Sequence, residues 1–494
     1  MMNWHGKRIV ILGLARQGVA LARYLAEQGA RVIVSDAKPA EQLTDARQAL
    51  RDLTIEYALG GHPPTLLDGA DLLCLSGGVP ADVPLAQEAA RRNIAVSNDA
   101  QIFLDAAPCK VLGITGSVGK TTTTMLVGRM AASQIAYRKS RIANRGDEQL
   151  AASDMPSAIR DKPSAIGRVW VGGNIGNPLI ADLDRMQADD LAVMELSSFQ
   201  LEIMTASPHI AGVLNITPNH LDRHGTMDVY IKAKSHILLH QNADDTAVLG
   251  FDDAHARALA KAAQGRVWWF SAAEEVEAGS FLRDERIVFR DGGREYIVCP
   301  TGRIKLRGAH NVLNVLAACA LAGAAGVGVA AMDEASNGFD GVERRLELVR
   351  ELHGAKWVND SIATAPERVI AAIRSFDEPI ILLLGGRDKK LPWDELMRLA
   401  RQRVKALIVF GEAAGLIAGA AEAENETVDD RRYKRAPKLI RVVPRAGLAD
   451  AVQKAAELAG AGDVVLLSPG CTSFDEFKDF AERGERFREM VKGL

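Results

Sequence analysis

Gly113–Thr122, which reads GITGSVGKTT, is the stretch whose residue types indicate chemistry most directly. Its glycines offer flexible backbone amides to a phosphate group, Lys120 suits the β- and γ-phosphates, and Thr121 supplies a hydroxyl for Mg²⁺. A regular phosphate loop, G-x-x-x-x-G-K-[ST], requires glycine at position 114, where this chain has Ile114. An apolar strand precedes the stretch and a helical pattern follows it. The stretch therefore predicts a nucleotide-phosphate site of irregular spacing.

Phosphate chemistry needs a metal ion held by hard oxygen ligands, and one carboxylate stands where such a ligand is expected. Glu195 follows the apolar strand Leu191–Met194, and ligands collect at the carboxyl ends of parallel strands. The next strand, Gly212–Leu214, leads into a polar segment in which His220 and His224 are four residues apart. Zinc would require a third protein ligand. On its own, this segment favours a polar loop with surface histidines, and only its position beside the phosphate loop and Glu195 favours a role in the site.

A second glycine turn lies near the start of the chain. Gly13, Ala15 and Gly18 follow the strand Arg8–Leu12, and Asp36 closes the next strand. This approximates the dinucleotide fingerprint, but Ala15 replaces the glycine that lets a pyrophosphate approach the backbone. The turn favours an anionic ligand at the following helix, which runs to Glu27, and a structural turn without ligand remains the alternative.

Short β-branched runs alternate with helical patterns along the chain, which predicts an α/β protein built on parallel sheets. With 494 residues, the chain is long enough for about three domains. Boundary signals predict domains at 1–107, 108–340 and 341–494. The helix after the phosphate loop is predicted to end near Met130. The following segment, Ser133–Arg168, has no apolar stripe and is predicted to be an insertion, either a mobile loop or a short surface helix pair.

Composition excludes several classes of protein. Lys and Arg total 60 and Asp and Glu total 63, so there is no broad basic surface for nucleic acid. The apolar run near the N-terminus is too short and too interrupted to span a membrane or act as a signal peptide. Five scattered cysteines without C-x-x-C spacing argue against a disulfide framework and against a zinc knot. We expect a cytoplasmic protein, a monomer, with no nucleic-acid or membrane partner.

Five segments together resemble the Mur ligases in order and spacing. They are Gly113–Thr122, Gly172–Gly176, Glu195–Glu202, Asn215–His224 and Tyr230–Lys234. The resemblance covers nearly the whole chain outside the predicted insertion. It implies a Rossmann-like N-terminal domain for a uridine-diphosphate substrate, a central P-loop-type ATPase domain with a parallel sheet, and a Rossmann-like C-terminal domain.

The resemblance also implies roles for individual residues. Lys234 matches the family lysine that reacts with CO₂ to form a carbamate, which helps His220 to hold the second of two Mg²⁺ ions. The catalytic residues so implied are Lys120, Glu195, His220 and Lys234, and the metal ligands are Thr121, Glu195, His220 and Lys234. The implied ATP site comprises Gly116, Ser117, Gly119, Lys120, Thr121, Thr122, Asn311, Asn314, Arg345 and Asp360. The implied substrate contacts are Arg16, Gln17, Asp36, Asn174 and Ser197 for the UDP-muramoyl substrate, and Thr364, Lys389, Ser473 and Phe474 for D-glutamate.

The implied reaction is ATP-dependent amide formation between UDP-N-acetylmuramoyl-L-alanine and D-glutamate, through an acyl phosphate, in peptidoglycan precursor synthesis. Two positions depart from the family pattern: Val118 stands where relatives often carry Asn, and Ile362 where many carry Lys. Within the superfamily, an L-alanine-adding enzyme or a folylpolyglutamate synthetase is the alternative. Outside it, the alternatives are a nicotinamide-dependent oxidoreductase on the first glycine turn and a P-loop binding protein without ligase activity.

Overall fold

β-Strands and helices alternate along the described part of the chain, as the sequence predicts, and the strands form three sheets flanked by helices. The computed structural model describes residues 3–145, 166–306, 308–339, 341, 344–389, 391–426 and 441–494. The α/β fold class is confirmed. The domain boundaries stay predictions, although the strands of each sheet all lie within one predicted range.

The first sheet is parallel throughout, and its strands are β1 (Arg8–Leu12), β2 (Arg31–Asp36), β3 (Ile55–Leu59), β4 (Leu72–Leu75) and β5 (Ala95–Ser97). Their order is β3-β2-β1-β4-β5. The chain crosses to opposite sides of β1, so the carboxyl end of β1 faces the crevice where ligands of such sheets bind. The first glycine turn begins at this point.

The central sheet carries the phosphate loop, and its strands are β6 (Lys110–Thr115), β7 (Val169–Gly173), β8 (Leu191–Glu195), β9 (Ile210–Val213), β10 (Thr246–Gly250), β11 (Arg266–Ser271), β12 (Gly279–Arg283), β13 (Arg286–Asp291) and β14 (Arg294–Pro300). The order is β14-β13-β12-β11-β10-β9-β6-β8-β7. From β7 to β12 the pairs are parallel, whereas β12, β13 and β14 form antiparallel hairpins. The prediction of a parallel sheet is thus correct around the phosphate loop and wrong at the far edge, where short turns reverse the chain directly.

The third sheet consists of β15 (Glu347–Leu352), β16 (Ala355–Asn359), β17 (Ile380–Gly385), β18 (Val404–Phe410), β19 (Val442–Pro444) and β20 (Val464–Gly470). The order is β15-β16-β20-β17-β18-β19, and only β15 at the edge is antiparallel to its neighbour. The carboxyl ends of β16, β20 and β17 are therefore adjacent along one edge of the sheet.

Helices connect the strands and cover the sheets. Those of the first sheet are α1 (Arg16–Glu27), α2 (Thr44–Gln48), α3 (Pro84–Arg91) and α4 (Asp99–Ala106). Those that follow β6 are α5 (Lys120–Arg145), α6 (Ser198–Leu201), α7 (Leu221–His224), α8 (Met227–Leu239), α9 (Ala254–Ala258), α10 (Ala309–Ala324) and α11 (Val329–Asn337). Those of the third sheet are α12 (Pro366–Ile373), α13 (Asp394–Arg403), α14 (Ala414–Glu426), α15 (Leu448–Leu458) and α16 (Phe480–Gly493). Short 3₁₀ segments lie at Ala40–Leu43, Pro64–Leu67, Leu179–Arg185, Leu259–Ala262 and Thr301–Arg303.

The helix after the phosphate loop is longer than predicted. The expected end near Met130 is wrong, because α5 continues to Arg145. Its first half is anchored by buried apolar residues, and the Ala, Arg and Lys residues that follow have good helix propensity without needing an apolar stripe. The central part of the predicted insertion, 146–165, lies outside the described residues.

The chain divides into two compact units, one comprising Met1–Ile304 with His310–Phe339 and the other comprising Lys305–Ala309 with Asp340–Leu494. The first unit contains the first and central sheets, and the second contains the third sheet with its own apolar cores on both faces. All five cysteines are buried and free. Among the described helices, none combines the length and apolar character needed to cross a membrane.

Candidate active site

The phosphate loop joins β6 to α5, and Lys120 is the first residue of the helix. Its ammonium turns back over the loop, where Nζ donates to the carbonyl of Gly116 at 2.8 Å. At Gly119 the backbone φ is +86°, and a Cβ there would lie 2.3 Å from Asn314 Oδ1. Only glycine suits both that conformation and that space. The loop therefore places backbone amides, a lysine and a helix N-terminus together, as phosphate binding requires.

Glu195 lies on the neighbouring strand at the same end of the sheet, paired in register with Ile114. The Thr121 hydroxyl donates to Glu195 Oε2 at 2.8 Å, and Asn174 Nδ2 donates to Glu195 Oε1 at 3.0 Å. The carboxylate is 2% exposed. The structure thus brings together predicted site residues from three separate segments of the chain.

Lys234 is buried beside the phosphate loop, with only 1% of its surface exposed. Its Nζ donates to the carbonyl of Gly116 at 3.0 Å and to Thr115 Oγ1 at 3.3 Å, and lies 4.7 Å from the Tyr230 ring centre. Burial lowers the pKa of Lys234 well below its ordinary value, and repulsion from Lys120 lowers it further, although Glu195 opposes the change. The site therefore favours a neutral amine.

A second loop braces the phosphate loop from the side of β9. The Ser117 hydroxyl donates to the carbonyl of Thr217 at 2.9 Å and lies 3.1 Å from the hydroxyl of Tyr230. The Asn215 amide accepts from the N–H of Val118 at 3.0 Å and donates to its carbonyl at 3.1 Å. The Ser117 side chain, predicted to contact ATP, thus serves a contact between loops. The two hydrogen bonds with Asn215 hold the backbone of Val118, whereas 59% of the residue's surface is exposed.

His220 is exposed and is the N-cap residue of α7, with its backbone in the left-handed conformation at φ +54°. The Phe199 ring meets the His220 ring edge-on at 5.2 Å and stacks on the His224 ring at 5.1 Å. His224 Nε2 forms a hydrogen bond with Ser198 Oγ at 2.9 Å. The segment that follows Glu195 at the end of β8 is therefore joined through these side chains to the segment after β9, which carries His220.

The remaining predicted residues of the first unit lie around this cluster. Asn314 stands beside Gly119, and its Nδ2 donates to Asn311 Oδ1 at 2.9 Å. Thr122 is buried in the first turn of α5. The Ser197 hydroxyl caps α6 by accepting from the N–H of Gln200 at 3.2 Å and donating to its Oε1 at 3.0 Å. The position of Ser197 in the fold is thus explained by capping.

The oxygen donors at Glu195 and Thr121 fit Mg²⁺. Mg²⁺ is usually held by one or two carboxylates together with waters and substrate phosphates. Among the described residues, no group of three or more His, Cys, Asp and Glu side chains is arranged to hold a metal ion by protein ligands alone. The donor set therefore suits an ion shared with nucleotide phosphates and does not suit a closed zinc site.

The first glycine turn also has the features of an anion site. Asp36 Oδ2 accepts from the N–H of Leu14 at 2.7 Å, which holds the turn closed. α1 begins at Arg16, and its N-cap residue Ala15 provides no side-chain hydrogen bond to the amides of the first turn. Gln17 Nε2 is buried and without a hydrogen-bond partner. Unsatisfied donors at a helix N-terminus favour a phosphate group.

In the second unit, the predicted residues follow the carboxyl ends of β16, β17 and β20. Lys389 Nζ donates to Thr364 Oγ1 at 3.1 Å, which joins two residues predicted for D-glutamate. Partial burial and the nearby Arg368 lower the pKa of Lys389. Ser473 is buried, whereas Phe474 is 59% exposed.

Asp360 is the most perturbed carboxylate of the second unit. It is 4% exposed, and Oδ2 accepts from Ser468 Oγ at 2.8 Å. Burial raises the pKa of Asp360 to about 7, against the opposing effects of the Ser468 hydrogen bond and of Arg345. Arg345 and Asp360, both predicted for ATP, are thus electrostatically coupled.

Sequence reasoning missed three residues that organise these sites. Tyr230 contacts both Ser117 and Lys234, and its position four residues before Lys234 on a helix was the available signal. His224 was noted only as a companion of His220. Arg483 is fully buried in the second unit, and nothing in the local pattern of α16 distinguishes it from Arg486, which is exposed, or Arg488, which is partly buried.

Three family models match the chain in sequence order. They are the Mur ligase MurD-like N-terminal domain at residues 7–98, the Mur ligase middle domain at 114–322, and the Mur ligase glutamate ligase domain at 344–471.

Curated relatives extend over the full length. A protein of Symbiobacterium thermophilum, named UDP-N-acetylmuramoylalanine--D-glutamate ligase, is 38% identical over 99% of this chain and 98% of its own. A protein of the same name from Acetivibrio thermocellus is 36% identical over 99% and 97%. Among solved structures, the UDP-N-acetylmuramate-alanine ligase of Thermotoga maritima matches with TM-score 0.55 at 18% identity, covering 99% of this chain and 100% of that one. The MurF ligase of the same organism, in complex with ADP, matches with TM-score 0.52 at 17% identity over 100% and 99%. From its full-length relatives and from the three domain matches, this chain belongs to the Mur ligase family.

Proposed function

We propose that this chain is an ATP-dependent ligase that joins D-glutamate to UDP-N-acetylmuramoyl-L-alanine in peptidoglycan precursor synthesis. The observation that carries the proposal is a phosphate loop with Glu195 and a buried Lys234 beside it, in a chain whose full-length relatives bear the name of this activity. The oxidoreductase and the simple P-loop binding protein are not favoured, because neither accounts for the match along all three sheets.

The first step activates the alanyl carboxylate. A carboxylate oxygen attacks the γ-phosphorus of ATP, the bond to the bridging oxygen breaks, and ADP leaves an acyl phosphate behind. Lys120 neutralises charge on the transferred group, moving from the carbonyl of Gly116 to phosphate oxygens, while the loop amides fix its orientation. Positioning and charge stabilisation supply the catalysis, with no nucleophile from the protein.

Thr121 and Glu195 would hold one Mg²⁺, and His220 with the modified Lys234 would help hold a second. When bound, these ions supply charge neutralisation at the phosphates. Asn174 keeps the Glu195 carboxylate oriented through its 3.0 Å hydrogen bond.

Lys234 supports a carbamate because its surroundings favour the neutral amine. The lone pair of the neutral amine attacks CO₂ and one N–H proton passes to solvent, so that a neutral group becomes an anion. The anion would then lie near Lys120, whose positive charge disfavours an ammonium at Lys234 and favours a carbamate. The carbamate thus places a negative charge beside the positive charge of Lys120.

The second step forms the amide. The amine of D-glutamate attacks the acyl-phosphate carbonyl, and the tetrahedral intermediate collapses with release of phosphate and a proton. Lys389 offers a cation to a carboxylate of the amino acid, and its hydrogen bond to Thr364 fixes the ammonium at the end of the sheet. Ser473 and Phe474 complete the proposed D-glutamate contacts.

The test is product formation from defined substrates. Purified protein with ATP, Mg²⁺ and UDP-N-acetylmuramoyl-L-alanine is offered a panel of D- and L-amino acids, with phosphate release and product mass as readouts. We expect turnover with D-glutamate and none with L-alanine. Turnover of UDP-N-acetylmuramate with L-alanine, or of a folate substrate with glutamate, would replace the proposal by the corresponding superfamily member. A Lys120→Ala variant serves as the inactive control. The cytoplasmic location and the monomeric state remain predictions.

A further inference from the structure

Arg483 is the one arginine among the fully buried side chains of the described chain, at 0% exposure. It lies in the first turns of α16, whose N-cap is Asp479. Among the described residues, none offers the guanidinium of Arg483 a carboxylate within hydrogen-bond distance. Instead its five hydrogen bonds reach Ser361 Oγ at 3.0 Å, Ser361 O at 2.9 Å, Gly385 O at 3.5 Å, Cys471 O at 3.2 Å and Thr472 O at 3.2 Å.

The acceptors belong to three strand ends. Ser361 follows β16, Gly385 ends β17, and Cys471 follows β20. The residues proposed to contact D-glutamate lie within four positions of these acceptors in the sequence. They are Thr364, Lys389, Ser473 and Phe474. The planar guanidinium of Arg483 therefore joins these three segments and sets their spacing. Among the described residues, no other side chain bridges all three.

The surrounding backbone is shaped to admit the guanidinium. Gly386 has φ +122°, and a Cβ there would lie 3.0 Å from Arg483 Nη1 and 2.1 Å from the carbonyl of Thr472. The Ser361 hydroxyl donates to the carbonyl of Phe480 at 2.8 Å, which ties the start of α16 to the same strand end. The start of α16 and the loops that follow the strands thus together shape the space that the guanidinium of Arg483 occupies.

Burial of a cation without a hydrogen-bonded carboxylate is costly. Burial lowers the pKa of Arg483 to about 10, although Asp475 and Glu476 favour the charged form. The group stays charged at neutral pH, and its charge is met mainly by carbonyl dipoles. Apolar residues of similar size would fill the space at lower cost but would leave the strand ends unjoined.

We propose that Arg483 is a positioning residue for the amino-acid site: it holds the ends of β16, β17 and β20 at the spacing that places Thr364 and Lys389 against Ser473 and Phe474. The inference rests on the proposed function for the identity of the ligand. It assigns Arg483 no contact with substrate. It predicts that weaker hydrogen bonding by the guanidinium of Arg483 raises KM for D-glutamate more than KM for ATP.

The experiment compares Arg483→Lys and Arg483→Ala with Arg350→Ala as the matched control. Arg350 Nη1 also donates to backbone carbonyls, those of Val491 and Lys492 at 3.1 Å, but at the far end of α16. In both Arg483 variants we expect KM for D-glutamate to rise by on the order of tenfold or more, with KM for ATP changed by less than about threefold. The control should retain both constants. Guanidinium ions should partly restore KM for D-glutamate in Arg483→Ala and not in Arg483→Lys.

Hydrogen exchange separates this inference from the proposed function. In Arg483→Lys, which retains the charge and remains testable if the alanine variant unfolds, amide exchange should rise at 360–364, 386–389 and 471–474 and not along β18. If the wild type does not turn over D-glutamate, the proposed function fails while this readout still decides the role of Arg483. Unchanged exchange in these segments, or equal effects on KM for ATP and D-glutamate, would overturn the inference.

Discussion

At the scale of single residues, the candidate site depends on charges placed where water cannot solvate them. Lys234 and Asp360 are both almost fully buried, and burial shifts each towards its neutral form. Such shifts concentrate at functional sites, because a reacting group needs a protonation state that free solution does not provide. The burial of each residue therefore leads to a testable prediction about its charge.

Replacement of Lys234 by Ala should abolish ligation, since the variant has no amine to form a carbamate. A short carboxylic acid in the buffer should partly restore activity by supplying the missing oxygens, measured as phosphate release against acid concentration. Lys232→Ala, on the exposed side of the same helix, is the control and should keep its activity. Full activity in Lys234→Ala would remove the carbamate from the mechanism.

Asp360 predicts a specific dependence of stability on pH. Its folded pKa of about 7 lies above the value of an unfolded aspartate, so the folded state binds the extra proton between these values. The contribution of this group to stability is therefore present at low pH and is lost as pH rises towards 7. Asp360→Asn should stabilise the second unit at pH 8 by on the order of 4 kcal/mol and much less at pH 4, since the pKa is raised from 3.8 to about 7 and each pKa unit is worth about 1.4 kcal/mol.

Denaturant unfolding of the wild type and of Asp360→Asn at both pH values measures this difference. Asp450→Asn, on the surface of α15, is the control for loss of a carboxylate. An equal change in unfolding free energy at pH 4 and pH 8 would show that the Asp360 carboxylate is not the source of the pH dependence.

At the scale of elements, the site is formed by neighbouring strands of one sheet. β6, β8 and β9 are adjacent and parallel, so the phosphate loop, Glu195 and the His220 segment leave the sheet at the same edge. The strands fix direction but not the spacing of the segments that follow them. That spacing is set by side-chain contacts between segments, of which the Ser198–His224 hydrogen bond is one.

Loss of this hydrogen bond should weaken the binding of metal ions by the enzyme. In His224→Leu the Ser198 hydroxyl loses its partner and the Phe199 stack is lost, which frees the His220 segment. We expect the Mg²⁺ concentration for half-maximal activity to rise by on the order of tenfold, and Mn²⁺ binding by the protein alone, followed by electron paramagnetic resonance, to weaken similarly. His236→Leu, which loses a hydrogen bond to the carbonyl of Met204, is the control on α8. Unchanged Mn²⁺ binding in His224→Leu would count against this role.

At the scale of the whole molecule, the two compact units have separate apolar cores. Each core is closed by the helices of its own unit, so each can lose its packing without direct loss of apolar burial in the other. Chains with such a division commonly depart from two-state unfolding.

Calorimetry should therefore resolve two unfolding transitions. Leu249→Ala, in the core of the first unit, and Leu382→Ala, in the core of the second, are matched changes at 0% exposure on buried strands. Each should lower one transition, at a cost of about 2–5 kcal/mol, and leave the other in place. A single transition that moves equally in both variants would show that the units unfold as one.

The sequence by itself determined the strand-helix alternation, the two glycine turns and the position of Glu195 at a strand end. These follow from local propensity and from the periodicity of apolar residues, which act within a few neighbouring positions. The prediction from sequence was wrong at two places where local signals are weak. α5 continues beyond Met130 without an apolar stripe, and the strands at the far edge of the central sheet are antiparallel because short hairpins join them. Only the tertiary structure decided that Lys234 is buried against Gly116 and that Arg483 joins three strand ends. Lys234 and Gly116 are 118 positions apart in the sequence, and Arg483 and Ser361 are 122 apart. Local patterns do not register such contacts, and a lysine or an arginine in a helical pattern looks the same whether it faces solvent or the core.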